Sequence, residues 1–146
     1  WRARADALAA SAQWPAAREA YQSLLAVAPR DAGALNNLAN VLMRLKDPQA
    51  LAMAERAVAA APRSVLAMDT LGWALFQAGQ KDKALQTLRD ARLRDPSNPE
   101  VRYHLAAVLA DAGRRAEARR ELDDALAMGV RFESLAEAQA LARTLD

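Results

Sequence analysis

The sequence has no cysteine, a single histidine and few aromatic residues, which make up 5% of its 146 residues. Without cysteine the chain has neither a disulfide framework nor a thiolate metal site. One histidine is too few for a four-ligand zinc site, and no Ser-His-Asp order or glycine-rich phosphate loop is visible. No segment approaches the roughly 20 consecutive apolar residues of a membrane-spanning helix. We therefore predict a non-enzymatic chain with no cofactor, no metal and no direct membrane insertion.

The chain also has no large excess of one charge sign, since acidic and basic residues are mixed and the formal net charge is only +2. The densest charged run, residues 114–124, alternates in sign by blocks. At helical spacing this run predicts the pairs Arg119–Asp123 and Arg120–Asp124 on a solvated outer face. Nucleic-acid binding needs uncompensated basic residues along the phosphates. We therefore expect no nucleic-acid partner.

The stretch from residue 71 to residue 96 predicts two helices joined by a turn. Its apolar residues recur three or four positions apart on both sides of Gly79, which is helical and not strand periodicity. Pro96 closes the second helix. The small residues Gly72 and Ala84 are expected where the two helices approach most closely. Ala84→Leu would then overpack the contact opposite Gly72, at a cost of about 1–3 kcal/mol.

Copies of this unit fill the rest of the chain. An alanine early in the second helix, a leucine in the first helix and a closing proline each return at intervals of about 34 residues. These markers are Ala17, Ala50, Ala84 and Ala118; Leu38, Leu71 and Leu105; and Pro29, Pro62 and Pro96. The pattern resembles the tetratricopeptide repeat (TPR) family over nearly the whole chain. The resemblance implies an all-α fold, a right-handed superhelical stack of hairpins that bury their apolar faces against their neighbours.

We predict a single TPR domain over residues 1–146. Its repeats would span about 1–31, 32–64, 65–98 and 99–130. Residues 132–145 predict one more helix, which would cap the apolar face of the last repeat.

The N-terminal end of the array shows no such cap. The chain starts at Trp1 and not at a methionine, so we expect it to be a fragment of a longer protein with further repeats upstream. Trp1 and Leu8 would then lie on an uncovered face. This face motivates an alternative function, a structural module that stacks end to end as a homo-oligomer.

In the TPR family the first helix of each hairpin lines a concave face, and ligands bind there. The resemblance therefore places the candidate binding residues on the first helices of this chain. The candidate peptide-binding residues are Asn36, Asn37, Asn40, Met43, Arg44, Asp69, Trp73, Phe76, Gln77, Tyr103 and His104. The resemblance places five more residues on this face: Arg2 and Asp6 of the first repeat, Thr70 of the third, and Ala107 and Asp111 of the fourth.

Several of these candidates have a second interpretation. Trp73 and Phe76 would anchor a peptide side chain if they lined the groove, or would be core if they packed against adjacent hairpins. The asparagines could bond a peptide backbone or be ordinary solvated polar residues. Leu66 and Thr70 stand where a clamp for a C-terminal carboxylate would need basic residues, which argues against such a clamp. His104 fits a polar or half-buried helix residue.

Three phrases between Ala34 and Leu126 carry a closer resemblance: ALNNLAN, AMDTLGWALFQAGQ and NPEVRYHLAAVLADAGRRAEARREL. They resemble TPR lipoproteins of the bacterial PEP-CTERM/exosortase protein-sorting and exopolysaccharide systems. This resemblance implies the periplasmic side of a bacterial cell envelope, and without it a cytoplasmic location is the expectation. Our leading hypothesis is a scaffold that binds a peptide or protein segment in its concave groove.

Overall fold

The structure, a computed structural model, describes residues 1–146 and contains nine α-helices and no strand. The prediction of an all-α chain is confirmed. The helices are α1 (Arg2–Ala10), α2 (Trp14–Val27), α3 (Ala32–Arg44), α4 (Ala50–Ala60), α5 (Val65–Gln77), α6 (Lys81–Arg94), α7 (Pro99–Asp111), α8 (Arg115–Ala127) and α9 (Leu135–Thr144).

The helices that open the later hairpins start at side-chain caps. Asp31, Ser64 and Asn98 each accept a hydrogen bond from a backbone N–H of the first helical turn, which otherwise lacks a partner. Pro99 follows Asn98 in the first turn of α7, where its missing N–H costs nothing. Local sequence therefore sets where α3, α5 and α7 begin.

The four turns inside the hairpins have the same geometry. Gly79 and Gly113 take the left-handed conformation, at φ 82° and 78°. Ala12 and Lys46 take it at the matching positions, with φ of 58° and 55°. In each turn the next residue donates its N–H to a carbonyl five residues back, for example Gln80 to Leu75 O at 2.9 Å. This pattern is a Schellman motif, so all four hairpins turn in the same way.

Each hairpin closes through small residues at the helix contact. Ala84 is fully buried, but the residue that faces Gly72 is Leu88, not Ala84 as predicted. A Cβ added at residue 72 would lie 2.5 Å from Leu88 Cγ. Leu88 is one helical turn beyond Ala84, so the face of α6 was predicted correctly and the opposing residue was wrong.

The core is a ribbon that follows the stack. One cluster joins α1 to α4, with Tyr21, Leu35 and Leu42 fully buried, and a second joins α5 to α9, with Leu88 and Leu105 at its centre. A small group of buried alanines on α3, α4 and α5 connects them. Such a ribbon is typical of repeat folds, in which each unit packs only on its neighbours.

Helix α9 packs on α8 and α7 at the end of the stack. Ala138 is fully buried, and Leu141 and Leu145 pack against the second core cluster. Arg115 and Arg119 on α8 donate to carbonyls in the last turn of α9, those of Thr144 and Ala142. The capping role of this helix stays a prediction.

The outer face of α8 differs from its prediction in one respect. Arg119 and Asp123 pair at 2.9 Å as predicted. Asp124, however, pairs with Arg102 of α7 at 3.4 Å, and Arg120 has no acidic partner. Glu121 is buried and pairs with Arg92 of α6 and, at 2.8 Å, with Arg102. This face therefore joins three helices and is not only a solvated surface.

Candidate functional site

A groove with a volume of about 820 Å³ runs along the inner side of the stack. The first helix of each hairpin, α1, α3, α5 and α7, contributes to its wall. Trp14 of α2 also lines it, as do Glu133, Ser134 and Glu137 around the start of α9. The arrangement follows from hairpin stacking, which turns the same helix of every unit to the same side.

Nine of the eleven candidate residues line this groove. They are Asn37, Asn40, Met43, Arg44, Asp69, Trp73, Gln77, Tyr103 and His104. Asp6 and Thr70 also line it, whereas Arg2, Ala107 and Asp111 do not. Arg2 pairs with Asp31, and Asp111 pairs with Lys81 at 2.7 Å.

Two candidate residues, Asn36 and Phe76, lie outside the groove. Asn36 is 3% exposed, its amide donates to Asn37 Oδ1 at 3.3 Å, and its own Oδ1 has no partner. One residue before Asn37, it is rotated by about 100° around α3 into the packing layer. Phe76 packs against the second core cluster, 5.3 Å from the Trp73 ring. The structure therefore corrects the placement of both residues.

Trp73 is both a core residue and a groove residue. It packs against the second core cluster and it lines the groove. Its ring stacks on the His104 imidazole at a centroid distance of 4.4 Å and an angle of 28°. The Tyr103 ring lies 6.1 Å away, tilted by 45°. These three rings form a rigid aromatic wall, in which offset and tilted contacts stabilise one another.

His104 is fixed by carboxylates from two helices. Its Nδ1 lies 2.7 Å from Asp69 Oδ1 on α5, and its Nε2 lies 3.5 Å from Glu100 Oε1 on α7. Burial lowers the pKa of His104, but the charge and hydrogen bond of Asp69 and the charges of Glu100 and Glu133 outweigh it and raise the pKa above its usual value. Asp69, at 5% exposure, thus supports the wall from behind.

Glu100 also fixes the segment that leads into α9. It accepts hydrogen bonds from the backbone N–H of Ser134 at 3.1 Å and from the Ser134 hydroxyl. An activated serine nucleophile would need its hydroxyl to be paired with the imidazole of His104. The Ser134 hydroxyl donates to the Glu100 carboxylate instead.

A polar cluster lies at the other end of the groove. The Tyr21 hydroxyl donates to Asp6, and the Asn37 amide donates to Asp6 Oδ1 at 3.2 Å and to the Tyr21 hydroxyl at 3.3 Å. Burial, followed by the bond to Asp6, raises the pKa of Tyr21 to about 12. The cluster joins α1, α2 and α3. The Asn37 amide nitrogen is therefore already hydrogen-bonded within the chain.

Sequence reasoning missed several groove residues. Leu66 is 62% exposed and lines the groove together with Thr70 and Trp73 of the same helix, α5. Its counterpart in the next repeat is Glu100, 34 positions later, so the repeat period could have pointed to both residues. Glu133 and Glu137 belong to the segment after the last repeat, where the period offers no signal.

The groove holds no group of three His, Cys, Asp or Glu side chains arranged for a metal ion, and neither does the rest of the chain. No helix combines the length and the apolar character required to cross a membrane. What the groove does present is a set of aromatic faces, amide groups and carboxylates, which are the groups that bind peptide side chains and backbone.

Comparison with known families agrees with this architecture. The model of the family described as "Tetratricopeptide repeat" matches residues 2–65. A second model, described as "Anaphase-promoting complex, cyclosome, subunit 3", matches residues 43–125, more than half of the chain. Together with its stacked hairpins, these matches show that the chain belongs to the tetratricopeptide repeat family.

Solved TPR structures share the fold. TTC0263, a thermophilic TPR protein of Thermus thermophilus, is 25% identical with a TM-score of 0.85, over 97% of this chain and 77% of that one. MamA of Desulfovibrio magneticus RS-1 is 24% identical with a TM-score of 0.75, over 86% of this chain and 71% of that one. YrrB, a TPR protein with an unusual peptide-binding site, is 20% identical with a TM-score of 0.75, over 96% of this chain and 71% of that one.

Among curated proteins, the cellulose synthase 2 operon protein C of Komagataeibacter xylinus is 36% identical over 107 residues. The match covers 70% of this chain but only 8% of that protein's length. The chain therefore corresponds to a small part of this relative.

Proposed function

We propose that this chain is a non-catalytic scaffold that binds an extended peptide or protein segment in its concave groove. The observation that carries the proposal is Leu66, a large apolar side chain that is 62% exposed inside a groove that Trp14 and Trp73 also line. Exposed apolar surface within a concave site is the usual signature of a binding surface.

The groove also offers polar groups to a peptide backbone. Asn40 is exposed and makes no side-chain hydrogen bond within the chain. The Thr70 residue is 4% exposed, lines the groove, and its hydroxyl has no partner on the chain. A hydroxyl without a partner on the chain can donate to or accept from a bound peptide backbone.

The relatives support a peptide-binding role and a bacterial context. YrrB, which shares the fold, has a peptide-binding site by its description. The relative from a cellulose synthase operon supports the narrower proposal that the partner belongs to a bacterial envelope or exopolysaccharide system. The PEP-CTERM/exosortase system, which the sequence resemblance suggests, is one such system.

A peptide-display screen tests the groove directly. Random dodecapeptides would be panned on the wild-type chain, on Leu66→Ser and on Leu93→Ser, a matched control that removes a leucine 71% exposed outside the groove. We expect one shared motif on the wild type and on Leu93→Ser, and its loss on Leu66→Ser. A motif retained by Leu66→Ser, or no enrichment at all, would count against the groove.

Self-assembly is a second candidate, since Trp1 is 74% exposed at the N-terminal end of the stack. Light scattering over a concentration series should then show association that Trp1→Ser abolishes. A monomer at every concentration would sink this alternative.

A further inference from the structure

We propose that the end of the groove next to α9 binds a cationic side chain, lysine or arginine, of the peptide segment. The site consists of the Trp73 and Tyr103 rings and the carboxylates of Glu133 and Glu137. This inference rests on the proposed function and names the chemistry of its partner.

The first argument is charge complementarity. Five carboxylates line the groove, those of Asp6, Asp69, Glu100, Glu133 and Glu137. Three basic side chains oppose them, those of Arg44, Lys46 and His104, and the carboxylates outnumber them even when His104 is protonated, although the chain as a whole carries a net charge of +2. The groove is therefore acidic on a weakly basic chain, which attracts basic segments and repels acidic ones.

The second argument is that two of these carboxylates are exposed and are held weakly or not at all by the chain. Asp6, Asp69 and Glu100 each bond a side chain nearby. Glu137 is exposed and has no hydrogen-bond or ion-pair partner. Glu133 is 81% exposed, and its nearest cation is Arg44 at 3.8 Å. Glu137 is therefore free, and the exposed pair of Glu133 with Arg44 is weak enough to be exchanged for a cation of the partner.

The third argument is the aromatic surface beside these carboxylates. The Trp73 and Tyr103 rings lie 6.1 Å apart and both line the groove. Glu137 and Glu100 line the same groove as this ring, and partial burial and then their charges raise the pKa of Tyr103. An aromatic face with carboxylates beside it attracts a cation through the ring and through the charge together.

The chain already uses this chemistry elsewhere in the same groove. The Arg44 guanidinium lies over the Trp14 ring at 5.6 Å from its centroid. There the cation is the chain's own, whereas no lysine or arginine of α5, α7 or α9 lines the groove beside Trp73 and Tyr103. Thr70, whose hydroxyl is unpaired, lies on α5 one turn before Trp73 and faces the same groove, so that it can bond the peptide near the cationic residue.

The test compares the wild type with the double variant Glu133→Gln/Glu137→Gln in the dodecapeptide screen. A matched control, Glu19→Gln/Glu55→Gln, makes the same charge change at two residues outside the groove. We expect a fixed lysine or arginine position in peptides enriched on the wild type and on the control, and its disappearance on the groove variant. Circular dichroism melts would check that all three proteins are equally folded.

A titration then measures the contact itself. An enriched peptide and its arginine-to-glutamine analogue would be titrated by tryptophan fluorescence. We expect the analogue to bind the wild type about tenfold more weakly, and this ratio to fall in the double variant, where only the rings remain to contact the arginine. The fall in the ratio is the coupling that a double-mutant cycle measures. Affinity of the basic peptide for the wild type should also fall with added salt.

The outcomes separate this inference from the proposed function. Enriched peptides without a basic preference would overturn the cationic site and leave groove binding intact. A basic preference that is as strong in the groove variant as in the wild type would also overturn it. Failure to enrich any peptide would count against both.

Discussion

Leu88 covers Gly72 so closely that the two helices of the third hairpin leave no room for a methyl group. A Cβ at residue 72 would lie 2.5 Å from Leu88 Cγ and 2.7 Å from Leu88 Cδ2. Leu88 is itself fully buried, so it has no solvent-facing space into which to turn. The absence of a side chain at residue 72 therefore sets the distance between α5 and α6.

Gly72→Ala should destabilise the chain by about 1–3 kcal/mol, because overpacking outweighs the gain of up to about 1 kcal/mol in helix propensity. Urea unfolding would measure the change. In a Leu88→Ala background the clash is gone, and the same substitution should then be neutral or stabilising. Equal destabilisation in the two backgrounds would show that Leu88 is not the opposing residue.

Tyr21→Phe should cost about 1–2 kcal/mol, because it removes the donor to Asp6 and one acceptor for Asn37 in the cluster that joins α1, α2 and α3. Tyr103→Phe is the matched control, since the Tyr103 hydroxyl makes no hydrogen bond with the chain. Thermal unfolding of both variants would measure the difference. Similar losses in the two would contradict a special role for the Tyr21 hydroxyl.

Glu121→Gln should destabilise the chain by about 1–3 kcal/mol. It removes the buried charge that pairs with Arg92 and Arg102 and so joins α6, α7 and α8. The expected loss of stability is smaller than for a fully buried pair because Arg92 is 32% exposed. Asp123→Asn, two residues away on the exposed side of α8, should leave the urea midpoint unchanged. A shift of the same size in both variants would mean that burial of Glu121 is unimportant.

Repeat spacing predicted the fold well because it depends on residues that every hairpin must share. Alanines at helix contacts, caps such as Asn98 and the glycine turns report local geometry, which the sequence encodes directly. The register of the contact between two helices is harder to predict from the sequence. Ala84 and Leu88 lie on the same face of α6, and only the tilt between the helices decides which of them meets Gly72.

The candidate site was less predictable, because its chemistry depends on contacts between repeats. The pairing of His104 with Asp69 joins residues 35 positions apart on different helices, and the two residue types alone do not predict it. Asn36 and Asn37 are adjacent and identical, yet one is buried and the other lines the groove. The carboxylates at the α9 end lie beyond the last repeat, where no period guides the assignment.

His104 should titrate above its ordinary value, and as the only histidine it gives a single imidazole signal by NMR. The charge and hydrogen bond of Asp69, with Glu100 and Glu133, outweigh the effect of burial and raise the pKa. We expect a midpoint above 6.5 in the wild type and a lower midpoint in Asp69→Asn. A wild-type midpoint at or below 6.5 would contradict the placement of the imidazole between the carboxylates.

The same raised pKa predicts how stability changes with pH. Because the folded chain holds the proton of His104 more tightly than the unfolded chain, the stabilisation by His104 is fully present below pH 6.5 and is lost as pH rises through the folded pKa. The difference in unfolding free energy between the wild type and His104→Gln should therefore shrink as the pH is raised from 6.5 through the folded pKa. In an Asp69→Asn background this decrease should become smaller, since the largest favourable contribution to the charged imidazole is absent. A difference that grows with pH would mean that burial, and not the carboxylates, dominates the environment of His104.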